Sequence, residues 1–346
     1  MGGTWDPTAL PARPGLYINF VEAAAAQIKG GARGTVALPL FQYGSAEAGK
    51  FFTIEKESEA AKLFGLDRVG PIRFALQGGA KEVLAYTVSS DVEAESFEEI
   101  REAFESRSFN VFVFPEEISA EERANTKAWV VRNRQEGKHF LAVFGGSNAD
   151  DQDPAIGNER TTQLADDYIV NLITGAHVNG SPYSSGKYAP YIAGLIAGTG
   201  INKSITYAPV QATDVGKRLK NSEIAAALQK GSLLLVHDGE KVKVEQGLVT
   251  SKKKIRAIRA RQAISTDIPR TAAEAYIGKL DNSADGQAAL ISAVKAYLER
   301  LELNHVLTDI VVTLDPERKS EGDSVYLLIG FTETDSMERI FLTVRV

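Results

Sequence analysis

Apolar residues fall into several rhythms along the chain. Between Val21 and about Ala80 they form short runs, Thr35 to Leu40, Phe51 to Ile54 and Ile72 to Leu76, parted by glycine turns at Gly30-Gly31, Gly44 and Gly78-Gly79. Runs of that length between turn residues predict strands, with one short helix from Ser58 to Phe64 interrupting them. From Lys81 the rhythm changes. KEVLAYTV predicts a strand, SFEEIREAFES an amphipathic helix, NVFVF a buried strand, SAEERANTKAWVVRNRQ a longer helix with Ser119 as its N-cap, and HFLAVFGG a further strand. Strands alternating with helices predict an α/β layer on a parallel sheet. The layer continues through helices near Tyr188 to Ala197 and from Ser222 to Gln229, then a hairpin turning at His237-Asp238-Gly239.

After Gly247 the pattern predicts a basic strand, KKKIRAIRARQAI, then TDIPRTAAEAYIGKL, then a long helix from Asp285 to about Leu303. In that helix Leu290, Val294, Tyr297, Leu298 and Leu301 recur at spacings of three and four and make one apolar stripe. The end is strand-rich: DIVVTL, SVYLLIGF and ERIFLTVRV. At the other end, Pro7, Pro11 and Pro14 block helix and favour extended backbone, so the opening reads as an arm without a core. The expected fold class is therefore multidomain, α/β and α+β. Residues 1–20 form an extended arm, 21–80 a small strand-rich domain, 81–247 a central α/β domain, 248–332 a C-terminal α+β domain, and 333–346 a C-terminal arm or strand.

Composition narrows the chemistry. The 346 residues include no cysteine, which removes disulfides, thiolate zinc sites, iron-sulfur clusters and cysteine nucleophiles. With 39 Lys plus Arg against 45 Asp plus Glu, the net charge of -6 argues against direct nucleic-acid binding, which rests on cations neutralising phosphates. No apolar run approaches a membrane span or a signal peptide, so membrane insertion is not expected and the chain reads as one made in a cytoplasm.

Candidate sites are few and each has a plain structural reading. His139, His177, His237 and His305 are far apart and share no metal-binding spacing. Asp150, Asp151 and Asp153 resemble the start of a calcium loop, but Ile156 stands where the turn needs glycine and Thr162 where the bidentate acid belongs. Ser184 to Lys187 and Ser251 to Lys254 fit S-x-x-K without the companion elements of serine-lysine enzymes. Gly180 to Lys187 misses the phosphate-loop spacing, and Tyr188 replaces the magnesium-holding hydroxyl. No cofactor is expected. Six of the ten residues from Lys252 to Arg261 are basic, which predicts either a cationic strip for an acidic partner or a strand with a solvated face.

A set of segments carries more information than any site. GTW, RPGLYINF at Arg13 to Phe20, ARGTVALPL at Ala32 to Leu40, YIAGLIAGT at Tyr191 to Thr199, NKSITY at Asn202 to Tyr207, DGEKVKVEQGLVT at Asp238 to Thr250, YIGKLDNSADGQ at Tyr276 to Gln287 and DSMERIFLTVRV at Asp335 to Val346 together resemble the contractile tail sheath proteins of phages. The likeness is strongest to the short sheaths of prophage tails and phage-tail-like bacteriocin particles.

That resemblance implies a structural subunit, not an enzyme. It would polymerise with itself as stacked hexameric rings around an inner tail tube protein, bounded by baseplate and tail terminator proteins, and contract to drive the tube through a cell envelope. It implies that an N-terminal arm, Arg13, Pro14, Gly15, Leu16, Tyr17, Ile18, Asn19 and Phe20, and a C-terminal strand, Ile340, Phe341, Leu342, Thr343, Val344, Arg345 and Val346, join neighbouring subunits. Because the family's C-terminal domain faces the tube, Lys295 and Arg300 on the long helix are the expected tube-facing residues, with the strip Lys252 to Arg261 as the competing candidate for sheath contacts. The alternatives are the sheath of a related secretion machine, a soluble binding module, and an α/β hydrolase-like enzyme, which would need a convergent polar cluster.

Overall fold

The structure, a computed structural model, describes residues 27–28, 30–31, 33–88 and 97–345. The arm expected at residues 1–20 lies outside the described residues. Strand β1 (Thr35–Leu40) is apolar and almost wholly buried, as a central parallel strand covered on both faces must be. Strand β2 (Phe51–Ile54) follows, then helices α1 (Glu57–Phe64) and α2 (Gly70–Gly78), then β3 (Glu82–Thr87). Helix α3 (Phe97–Glu105), β4 (Val111–Val113), α4 (Ala120–Gln135), β5 (Leu141–Phe144), α5 (Pro154–Gln163) and β6 (Ile169–Asn171) complete the layer. The six strands form one sheet in the order β2-β3-β1-β4-β5-β6, parallel except for β2 at its edge.

Two expectations change here. Ile72 to Leu76 is not a strand but the middle of α2, whose Ile72, Phe74 and Ala75 are buried. An apolar run of five cannot distinguish the two by itself, and Pro71 in the first turn with Gly79 as a left-handed C-cap are helix signals. The described residues of the segment 21–80 also form no separate strand-rich domain, since β1 and β2 are members of the central sheet. Ser119 does cap α4, accepting a hydrogen bond from the Glu122 amide at 3.1 Å.

Beyond the sheet, β7 (Ala176–Val178) and β8 (Ser181–Tyr183) form a hairpin around Asn179-Gly180, both at positive φ. Helix α6 (Ser185–Gly198) lies over β1, β4 and β5. Strand β9 (Asp214–Val215) adds to the hairpin, α7 (Asn221–Lys230) follows, and β10 (Leu235–His237) pairs with β11 (Val242–Val244) as expected. An aromatic cluster of Phe104, Phe112, Trp129 and Phe140 packs between α3, α4 and the sheet, edge-on at Phe104–Phe112 and Phe112–Trp129 and tilted at Trp129–Phe140.

The C-terminal region has its own core. Helix α8 (Ile255–Ala275), helix α9 (Ala284–Leu303) and the antiparallel pair β12 (Leu307–Leu314) and β13 (Leu327–Glu333) enclose Ile264, Val294, Tyr297, Leu298, Leu301 and Leu307. The stripe expected on α9 is its buried face. The basic segment expected as a strand is instead the first half of α8. Ile255, Ile258 and Gln262 recur at helical spacing and are buried, and Pro269, which divided the sequence pattern, sits inside the helix. No helix among the described residues is long and apolar enough to cross a membrane.

Candidate assembly surface

Past β13 the chain has no helix or strand through residue 345. Its root is nevertheless fixed. The Glu333 carboxylate pairs with Arg261, the Thr334 amide donates to the Val306 carbonyl, and Arg256 donates to Ser336 Oγ at 2.8 Å. At Glu338 four donors converge: Thr206 Oγ1 at 2.8 Å, Ser204 Oγ at 3.2 Å, Gln246 Nε2 at 2.9 Å, and the Lys254 ammonium. Burial alone would raise the Glu338 pKa, but hydrogen bonds from Lys254, Gln246 and Thr206 outweigh it and hold the carboxyl below its ordinary value.

Immediately after this fixed root, Ile340, Phe341, Leu342 and Val344 are between 69% and 91% exposed. The expected strand over Ile340 to Val346 is therefore unpaired over its described residues, 340–345: among the described residues none is assigned as its strand partner. Val346 itself is outside the described residues. Among the described residues β12 and β13 pair only with each other, each leaving one edge open there. Their outer face carries exposed Val311 and Leu328. An open sheet edge and an unpaired apolar segment each present groups that invite pairing.

At the other end, Arg13 to Phe20 are outside the described residues, and Ile28, Gly31 and Arg33 are the first described residues with fixed partners. Ile28 is buried in the C-terminal core. Asp267 of α8 accepts the Gly31 amide at 2.8 Å and the Tyr297 hydroxyl at 2.7 Å, and it pairs with Arg33. Burial, and next the hydrogen bond to Asp267, push the Tyr297 pKa up. Neither Asp267 nor Glu338 stood out in the sequence, since Asp267 lies 236 residues from Gly31 and Glu338 lies 132 from Thr206.

The cationic candidates part company. Lys295 is exposed on α9 with Glu299 at 4.0 Å, whereas half-buried Arg300 donates to the Ile28 carbonyl. The strip Lys252 to Arg261 is mostly engaged inside the chain. Lys253 pairs with Asp167 at 2.7 Å, Lys254 with Glu338, Arg256 with Ser336 and the His305 carbonyl, and Arg261 with Glu333. Arg259 is buried with its guanidinium on the Thr199 and Gly200 carbonyls, and that burial, with Arg33 nearby, lowers its pKa to about 10.

The residues weighed for chemistry serve the fold. Asp150 pairs with Arg160 at 3.0 Å, Asp153 caps α5, and Asp151 accepts both the amide and the hydroxyl of Ser185 at 2.6 Å. Ser184 caps α6 by accepting from the Lys187 amide.

Family models for the phage tail sheath central domain and the phage tail sheath C-terminal domain match residues 91–250 and 250–346. The chain belongs to the phage tail sheath family. It is 26% identical over 293 residues to the tail sheath protein of Clostridium phage phiCD119, covering 75% of this chain and 78% of that one. Its fold is similar to that of a sheath tail protein from Desulfitobacterium hafniense, with 21% identity, a TM-score of 0.75, and 96% and 100% of the two chains covered. Its fold is also similar to that of the helical sheath of the anti-feeding prophage in its contracted state, at 16% identity and a TM-score of 0.74, covering 97% and 99% of the two chains. The tail sheath protein is a structural component of a contractile tail or tail-like particle and not an enzyme.

Proposed function

We propose that this sheath subunit assembles in the host cytoplasm as stacked hexameric rings around an inner tail tube, between a baseplate and a tail terminator, and contracts to drive the tube through a target-cell envelope. The observation that carries the reading is the exposed apolar segment 340–345, which among the described residues is unpaired, as are the outer edges of the β12–β13 sheet. An added strand holds through backbone hydrogen bonds, which tolerate tilt, while side-chain contacts between subunit bodies differ in two arrangements. The bodies can then rotate without the subunits separating. The energy for contraction is that stored when the extended form is built on the tube. The similar anti-feeding prophage structures, a contracted helical sheath and baseplates, support both polymerisation and a baseplate contact.

Arg13 to Phe20 are the N-terminal arm in this scheme, and Lys295 is the tube-facing cation on α9. Deleting residues 1–17, or the last eight, should give a soluble subunit that melts cooperatively and no longer polymerises in negative-stain electron microscopy. Polymers of ordinary length from both deletions would sink the proposal.

A further inference from the structure

The two ends of the described chain are tied to one helix. Just past the middle of α8, Asp267 holds Gly31 and Arg33, and through Tyr297 it is joined to α9, whose Arg300 holds the Ile28 carbonyl. Near its N-terminal end, Arg261, Arg256 and Lys254 hold Glu333, Ser336 and Glu338 in turn. About 20 Å of helix separates Lys254 from Asp267 at a rise of 1.5 Å per residue. Between the two clamps the body is attached sideways. Arg259 donates to the carbonyls that end α6, and Gln262 donates to the Asn110 and His139 carbonyls, just before β4 and β5, at 2.9 and 3.1 Å.

We propose that α8 is a strut carrying load between the two terminal segments of one subunit, so that the C-terminal pivot between subunits lies outside its clamp, after Glu338. This rests on the reading of the termini as inter-subunit strands. A chain end released where its strand stops would pivot at Glu333. Here residues 334–338 are held by polar side chains without strand geometry, so they move with the body. The joint is displaced to Arg339, directly before the apolar residues that seek a partner. Load entering at one terminal segment then passes along α8 to the other, and the α/β domain rides on the strut through Arg259 and Gln262.

The chain contains no cysteine, so single spin labels report cleanly. Met337 and Phe341 are both well exposed in the free subunit, at 85% and 91%. Labels on Met337→Cys and Phe341→Cys in the unassembled full chain should differ, the first restricted and the second free. Adding Glu338→Ala should make the first several-fold more mobile and leave the second unchanged. Equal mobility at the two positions in the otherwise unaltered chain, or no response to Glu338→Ala, would overturn the clamp. Polymers of Glu338→Ala subunits should form but fragment into shorter pieces under shear. Unchanged lengths would overturn the strut, and so would a folded subunit that cannot polymerise, since the clamp would then serve assembly instead. Polymerisation by the terminal deletions would defeat the arm reading alone, because the label result does not depend on it.

Discussion

Asp151 and Glu338 are two carboxylates taken out of water, and their surroundings push them in opposite directions. Glu338 meets a cation and three neutral donors, so its pKa falls despite burial. A depressed folded value contributes stability that is present above the ordinary glutamate range and is lost as pH falls through it. Asp151 is 3% exposed, and burial raises its pKa to about 6, against hydrogen bonds from Ser185 that lower it. A raised value does the reverse. Its favourable contribution is complete below the ordinary aspartate value and disappears as pH rises through about 6. The linkage is worth about 3 kcal/mol at most, at 1.36 kcal/mol per pKa unit. Asp151→Asn should therefore flatten the fall in unfolding free energy between about pH 4 and about pH 6, while Glu338→Gln should leave that fall in place. Denaturant titrations at several pH values check both, and an unchanged slope in Asp151→Asn would refute the assignment. The acidic cluster of Asp150, Asp151 and Asp153 was legible in the sequence. Its role was not, because Ser185 and Arg160 reach it only through the fold.

Among the elements, α2 and α6 approach more closely than side chains would permit. A Cβ on Gly194 would lie 2.0 Å from the Ala75 carbonyl oxygen, one on Gly198 2.0 Å from that of Gly79, and one on Gly78 2.1 Å from that of Tyr191. The YIAGLIAGT segment, which reads in sequence only as a helix with two glycines, is thus a backbone-to-backbone contact face. Gly194→Ala should force the helices apart and destabilise the subunit by about 1–3 kcal/mol, in spite of alanine's better helix propensity. A melting temperature at or above that of the unaltered chain would show that the contact relaxes freely. Strands β1, β3, β4 and β5 were legible because buried parallel strands are continuous apolar runs bounded by turns. Helix α8 was hidden for the opposite reason. Its buried face includes Arg256, Arg259 and Gln262, whose polar ends find carbonyls contributed by distant segments, so the stripe does not read as apolar.

At the scale of the whole molecule, the cations divide into those that hold the subunit together and those that stand exposed on its surface. Lys254 is the first kind: its ammonium sits on the partly buried Glu338, so Lys254→Glu places two carboxylates together and should lower the melting temperature of the isolated subunit. Lys295 is the second kind. Its contact with Glu299 is long and exposed, of a class worth about 0 to 1 kcal/mol, so Lys295→Glu should leave the isolated subunit's melting temperature unchanged. If α9 meets acidic groups on the tube, as proposed, the reversal replaces an attraction with a repulsion in every subunit of the polymer. One such pair decides nothing, but a helical array repeats it at each position, and the sum acts on the extended form alone. Co-expression of Lys295→Glu with its tube should therefore yield contracted, empty sheaths in electron micrographs, where the unaltered chain gives extended, filled ones. Extended, filled particles from Lys295→Glu would place the tube contact elsewhere on the subunit and leave α9's outer face without that role.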